Sequence, residues 1–178
     1  AGSLSGFCLQ SIQNQPFCIF APGASFGPSK LWEPAKWVEL GFKIQKELNV
    51  LPLIIGSPEE NTLLEQLRKK SHGLFITTKN LPMNLGLLKS LIAKSQFVIS
   101  TDAGPRHIAA AFDKPTVVLM GPNHPSLSDT HHAKTKIIHK FLSCSPCHKK
   151  TCPLKHHQCM KEISVSDVIN DISYVQSL

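Results

Sequence analysis

The segment STDAGPRHIAAAF, from Ser100 to Phe112, places Asp102, Gly104 and His107 between an apolar, β-branched run and a string of alanines. An aspartate accepts hydrogen bonds from hydroxyls. A glycine lets the backbone approach a ligand or take a positive φ, and Pro105 gives up an N–H that the first turn of a helix cannot use. The amides that follow open a helix, where unpaired N–H groups and the positive end of the dipole receive anions. His107, in that first turn, can donate to a phosphate. Taken locally, the same pattern fits an aspartate capping a short helix with a histidine on its solvent face.

Three further segments can join it. PGASFGPSKLW, Pro22 to Trp32, is rich in Gly, Ser and Pro and offers one cation, Lys30, able to act as a point charge on a diphosphate. GSPEE, 56–60, follows the second apolar run and supplies an acid that can take the two hydroxyls of a ribose. GPNHP, 121–125, follows another apolar run and can line the same crevice. Taken singly, Lys30 reads equally as a solvated lysine and GSPEE as an acidic first turn. The order G-x-x-x-x-G-K-[ST] is absent, and nothing matches G-x-G-x-x-G.

These segments need elements that bring their tips together. Apolar runs at Phe17–Ala21, Leu51–Ile55, Leu74–Thr77, Phe97–Ser100 and Pro115–Met120 read as strands, with a last one at Lys136–His139. Helices are expected from Pro34, with Trp37, Leu40, Ile44 and Leu48 inward, and from Ser57 as N-cap, with acids early and bases late. Others are expected at Asn84–Lys94 (Leu88, Leu91, Ile92 inward) and Pro105–Phe112. A closing helix is capped by Ser164 or Ser166, with Val165, Val168, Ile169, Ile172 and Val175 on one stripe. Alternating elements, with strands apolar on both faces, predict an α/β fold: a Rossmann-like parallel sheet with helices on both faces. In such sheets ligands bind at the carboxyl ends of the strands, where all four segments fall.

With 178 residues, 42% hydrophobic and 17% charged, the chain fits one globular domain. We expect this domain over 17–178 and a linker or expression remnant over 1–16, with the chain a piece of something longer. No apolar run reaches the roughly 20 residues of a bilayer crossing, and no signal-peptide pattern opens the sequence. A formal charge of +7 favours acidic partners without choosing among them. Few aromatics and no base-reading motif argue against nucleic acid as that partner.

Lys30, then GSPEE, then Asp102-x-Gly104-Pro105-x-His107 together resemble glycosyltransferase family 9, the ADP-heptose lipopolysaccharide heptosyltransferases. The resemblance runs from about Phe17 to Ile172 and matches the C-terminal, donor-binding half of that family's two-domain GT-B fold. It implies that Lys30 neutralises the donor phosphates, Glu60, with Glu59 as its alternative, holds the ribose, Asp102 binds the sugar ring, and the Gly104 amide and His107 hold the pyrophosphate. It further implies an inverting transfer of heptose from ADP-heptose, or a similar nucleotide sugar, to the inner core of lipopolysaccharide. The catalytic base would come from an N-terminal domain that these residues do not include, no cofactor or metal is expected, and the place of action is cytoplasmic or peripheral at the inner membrane of a Gram-negative bacterium. Two positions depart from the family: Ala103 stands where Ser or Thr is usual, and Leu31 where Arg often follows the lysine. A GT-B enzyme or epimerase using another nucleotide sugar is the alternative.

The string Cys144-x-x-Cys147, Cys152-Pro, His156-His157-x-Cys159-Met160 looks most like the heptosyltransferase II branch of the family. Its ligand types suit tetrahedral zinc, though the gaps after the first CxxC are not those of a zinc ribbon. Structural zinc, disulfides formed on oxidation, and buried free thiols remain open at this point, with a Cys/His zinc-binding nucleic-acid module as the remaining rival function; Cys8 and Cys18 have no evident partner.

Overall fold

The structure, a computed structural model, describes Ile12 and residues 15–178. Its strands are β1 (Phe17–Ala21), β2 (Leu51–Ile54), β3 (Ile76–Thr77), β4 (Val98–Thr101), β5 (Thr116–Met120) and β6 (Thr135–His139). All pair in parallel, in the order β3-β2-β1-β4-β5-β6. Every residue of β1, β4 and β5 is buried, which is why FCIFA, VIST and TVVLM show no polar alternation.

Successive residues of β1 feed opposite faces. Cys18 and Phe20 enter one core with Trp37, Leu40, Leu64, Ile172 and Val175; Phe17, Ile19 and Ala21 enter the other with Leu91, Ile92 and Ala109. The helices are α1 (Pro34–Leu48), α2 (Asn61–Lys70), α3 (Leu85–Lys94), α4 (Gly104–Ala111), the short α5 (Gln158–Lys161) and α6 (Val165–Gln176). α1, α2 and α6 cover the first face; α3 and α4 cover the second. An aromatic block anchors α1: Trp37 lies 5.1 Å from Phe20 and 5.2 Å from Trp32, ring centre to ring centre, and the Trp32 indole N–H donates to the Ile163 carbonyl at 3.0 Å.

Ser164 caps α6 by accepting from the Asp167 N–H, and Val165, Val168, Ile172 and Val175 of the expected stripe are buried, with Ile169 half-buried. Three expectations shift. Leu48 is exposed, because the chain turns at Asn49 (φ 54°) before meeting more core. The Leu74–Thr77 strand shrinks to Ile76–Thr77, since Phe75 is drawn into the core against Gly41, where a Cβ would sit 2.1 Å from its ring. After Ser57 comes a 3₁₀ turn, Pro58–Glu60, with α2 starting only at Asn61.

Of the segment read as linker, Ile12 is buried in the second core and the Pro16 carbonyl accepts from Leu51 N–H at 2.9 Å. Residues 1–11, 13 and 14 of that segment lie outside the described residues, and Cys8 with them.

Candidate functional site

The strand order turns back between β1 and β4, so the loops leaving their carboxyl ends run in opposite directions and leave a crevice. Lys30 follows β1 and Asp102 follows β4. Separated by 72 residues, they meet there: Lys30 Nζ donates to Asp102 Oδ2 at 2.7 Å and to the Asp102 carbonyl oxygen at 2.9 Å. Both side chains are almost fully buried. Lys30 closes a 3₁₀ turn, Pro28–Lys30, entered through Gly27 at φ 152°, a conformation that favours glycine. That turn is pinned from outside, with the Ser29 N–H donating to the Lys150 carbonyl and its hydroxyl to the Lys149 carbonyl.

Asp102 is a hub. Besides Lys30, Oδ2 accepts from Asn123 Nδ2 at 2.9 Å, while Oδ1 accepts from the Ser128 hydroxyl at 3.2 Å and lies 3.2 Å from Arg106 Nε. Burial pushes its carboxyl up, but the hydrogen bonds from Lys30 and Asn123 and the charges of Lys30 and Arg106 outweigh burial, so it rests below the usual carboxylate range. Asp102 is thus ionised at neutral pH, with both oxygens engaged by the protein.

Beside this hub opens a cleft of about 360 Å³, a size suited to a small organic ligand. Ala21, Gly23 and Ser25 line it at and after the end of β1, Ile55 to Pro58 and Glu60 after β2, Ala103 to Pro105 after β4, and Met83, Asn84, Leu85 and Leu88 just before and within the first turn of α3. Glu60, not the exposed Glu59, reaches it. The Glu60 carboxylate accepts from Ser57 N–H at 2.9 Å and lies so close over Gly23 that a Cβ there would sit 1.8 Å from Oε1. Gly104 opens α4 with no side chain capping the helix start, and a Cβ at Gly104 would meet nothing within 4 Å. Its φ is not positive, so neither backbone conformation nor protein packing calls for glycine here; the missing side chain leaves space open at the cleft.

The sequence-predicted residues therefore fall into three places. Glu60 and Gly104 line the cleft, Lys30 and Asp102 form the buried pair beside it, and His107 is exposed on the first turn of α4, outside the cleft lining. Burial and then the Arg106 charge push the His107 imidazole down, against a smaller pull from Asp102, so it is neutral at pH 7 and offers an N–H rather than a positive charge. Arg106, Asn123 and Ser128 were not singled out by sequence reasoning. Asn123 lies in the flagged GPNHP loop and Arg106 inside the central motif; Ser128 carries no signal of its own. Of the apolar wall, Leu85 and Leu88 fall in the expected Asn84–Lys94 helix, while Met83 precedes it and carries no signal of its own. Apolar wall, carboxylate and uncapped helix start together suit a ligand with a flat apolar ring, vicinal hydroxyls and an anionic group.

The Cys-rich segment buttresses both sides of the hub. The Pro122 carbonyl accepts the N–H groups of Cys147 and His148, at 3.0 and 2.8 Å, and the Ser145 hydroxyl donates to the Gly121 carbonyl. Cys144, Cys147, Cys152, Cys159 and His156 line a void of about 20 Å³ with Ser29 and Pro122. Cys18, Cys144, Cys147, Cys152 and Cys159 are free thiols, and no group of three or more His, Cys, Asp or Glu among the described residues is arranged to hold a metal ion. Backbone N–H groups, that of His157 foremost, hold the Cys152 thiol below its ordinary value; burial, with neighbouring thiols, raises Cys159, and burial raises Cys18 far more. Among the described thiols of the native protein, iodoacetamide should therefore modify Cys152 first, with reactivity rising at a lower pH than the usual thiol value of about 8.5, and Cys18 only after unfolding. Peptide mass spectrometry over time checks the order; Cys159 or Cys18 reacting ahead of Cys152 would contradict it.

With this geometry in place, the comparisons with known proteins are informative. A lipooligosaccharide heptosyltransferase 2 of Campylobacter jejuni is 34% identical over 157 residues, covering 85% of this chain and 48% of that protein. The solved ADP-heptose lps heptosyltransferase II of Escherichia coli superimposes with a TM-score of 0.80 at 20% identity, over 99% of this chain and 53% of that one. An E. coli heptosyltransferase solved with ADP gives 0.68 at 19% identity, over 94% and 48%. The chain thus spans about half the length of the relatives it matches and has the fold of one half of a GT-B enzyme. Residues 5–158 match glycosyltransferase family 9 (heptosyltransferase), and the chain belongs to that family.

Proposed function

We propose that this chain is the donor-binding half of an inverting heptosyltransferase, which moves heptose from ADP-heptose to the inner core of lipopolysaccharide. The observation that carries the reading is the convergence of three strand tips in a family 9 chain: Glu60 and the Gly104 amide line one cleft, and the Lys30–Asp102 pair lies beside it. In this reading the apolar wall takes the adenine, Glu60 the ribose hydroxyls, and the start of α4 and Lys30 the diphosphate, with the neutral His107 donating one hydrogen bond. Asp102, its oxygens already engaged, faces the sugar through whichever of its partners the donor displaces. Inversion by direct displacement needs a general base on the acceptor hydroxyl and stabilisation of the departing diphosphate. These residues supply the second; the base belongs to an N-terminal half.

A thermal-shift panel tests the donor, since stabilisation tracks affinity. ADP is expected to raise the melting temperature more than UDP or GDP at equal concentration, and a preference for UDP would move the chain to the alternative of another nucleotide sugar. Mixed with ADP-heptose and acceptor, the chain alone should release no ADP; turnover would place the base within it.

We also assign the place of action to an anionic membrane face. Residues 122–161 hold seven lysines and one aspartate, a net of +6 out of +7 for the whole chain, and Phe141 and Leu154 stand exposed among them. Among the described residues no helix is long and apolar enough to cross a membrane. The chain should sediment with vesicles containing phosphatidylglycerol and not with pure phosphatidylcholine, and lose this binding in high salt. Equal binding to both, or to neither, would remove the assignment.

A further inference from the structure

Asp102 has two cations beside it, and they are not equivalent. Lys30 makes two well-formed hydrogen bonds to it. Arg106, 2% exposed, approaches Oδ1 to 3.2 Å through Nε, yet that N–H is not directed at the oxygen. Both Nε and Nη1 are buried without a hydrogen-bond partner, while Nη2 donates to the Ser128 carbonyl. A guanidinium taken out of water with idle N–H groups is costly, and a partner gained in another state is one arrangement that offsets the cost. The cluster of Lys30, Asp102 and Arg106 also holds two positive charges against one negative, so one cation is in excess before any ligand arrives.

We infer that Arg106 is the reserve partner of Asp102: when a diphosphate enters the cleft, Lys30 leaves the carboxylate for the phosphate, and the carboxylate turns onto the guanidinium so that its idle Nε–H closes on Oδ1. This rests on the reading of the cleft as a nucleotide-diphosphate site. No covalent bond changes, and the excess positive charge becomes the ligand's counter-charge. Asn123 and Ser128 keep their hydrogen bonds to Asp102 and hold it in place during the exchange. Without Arg106, freeing Lys30 would strand a buried carboxylate, and that penalty falls on phosphate binding alone. Arg106 is thus a positioning residue, acting on the ligand through Asp102 and Lys30.

Calorimetric titration of the full chain with ADP and with adenosine separates the possibilities. Lys30→Met is expected to lose ADP affinity while adenosine binds as before. Arg106→Gln should do the same, by about tenfold or more, and Arg106→Lys, which keeps the charge, should recover much of the loss. If Lys30→Met binds ADP as the unaltered chain does, the nucleotide reading itself fails. If Lys30→Met loses ADP affinity but Arg106→Gln does not, or if Arg106→Gln loses ADP and adenosine alike, or if Arg106→Lys recovers nothing, the exchange is overturned while the site stands. Should Arg106→Gln fail to fold, a structure of the unaltered chain with ADP decides: Lys30 Nζ is expected beyond the roughly 4 Å of an ion pair from Oδ2, and its retention at 2.7 Å overturns the exchange.

Discussion

Asp102→Ala is expected to destabilise the fold by about 3–5 kcal/mol, the range for removing one partner from a buried charge cluster. What remains is Lys30 at 6% exposure and Arg106 at 2%, two like charges with no counter-ion. Asn123 and Ser128 lose their acceptors in the same step. Asp102→Asn keeps the size and one acceptor oxygen and should fall between the two. Denaturant midpoints at constant slope measure the difference; a loss under about 1 kcal/mol, the value of an exposed ion pair, would show that the cluster holds little together. The pH dependence has a definite sign. Because the folded carboxyl sits below its ordinary value of about 3.9, its stabilising contribution is complete above that pH and is lost as pH falls through the folded value. The alanine variant should lack this part of the acid limb.

Gly104→Leu is expected to do the opposite, sparing the fold and weakening binding severely. The glycine stands at the first position of α4 with no heavy atom within 4 Å of a built Cβ and no positive φ, so leucine brings neither backbone strain nor a Cβ clash. Its four-carbon side chain grows into a cleft of about 360 Å³ shared with Ala103, Pro105 and Glu60. The melting temperature should change by a few degrees at most, while ADP affinity falls about a hundredfold, near 3 kcal/mol. Gly104→Ala gives an intermediate loss. A leucine variant that binds ADP normally would mean that the nucleotide lies elsewhere.

Strands were legible where burial is two-sided: FCIFA and TVVLM have no solvent face to mark with polar residues, and their length separates them from helices. Helices were legible through Trp37, Leu40 and Ile44, all buried at the expected spacing. Boundaries were less so, because they depend on what the next element offers. Leu48 continues the helical stripe of Ile44 but meets no core, and Phe75 leaves the β3 run because Gly41 gives it room. At the site, Asp102 and Gly104 could be named because they follow directly on a strand end that the sequence reveals, and Lys30 and Glu60 because they lie in the loops after two others and fit the order of the family motif. Their division into a cleft and a buried pair could not, since it depends on side-chain direction. The ring around Asp102 was hidden for the same reason: Ser128 reaches it across a separation of 26 residues that spans α4, β5 and the loop beyond, a separation that follows no periodicity.

The tether made by the 144–150 segment gives the clamp on Asp102 a common mounting. One arm, the Lys30 turn, hangs from the carbonyls of Lys149 and Lys150; the other, Asn123, adjoins the proline whose carbonyl takes two N–H groups from Cys147 and His148. A disturbance at the small thiol-lined void is therefore felt by both grips at once, whereas each grip also belongs to a different strand tip. Strand register sets how far apart the two grips stand, and an irregular strap outside the sheet keeps them in step.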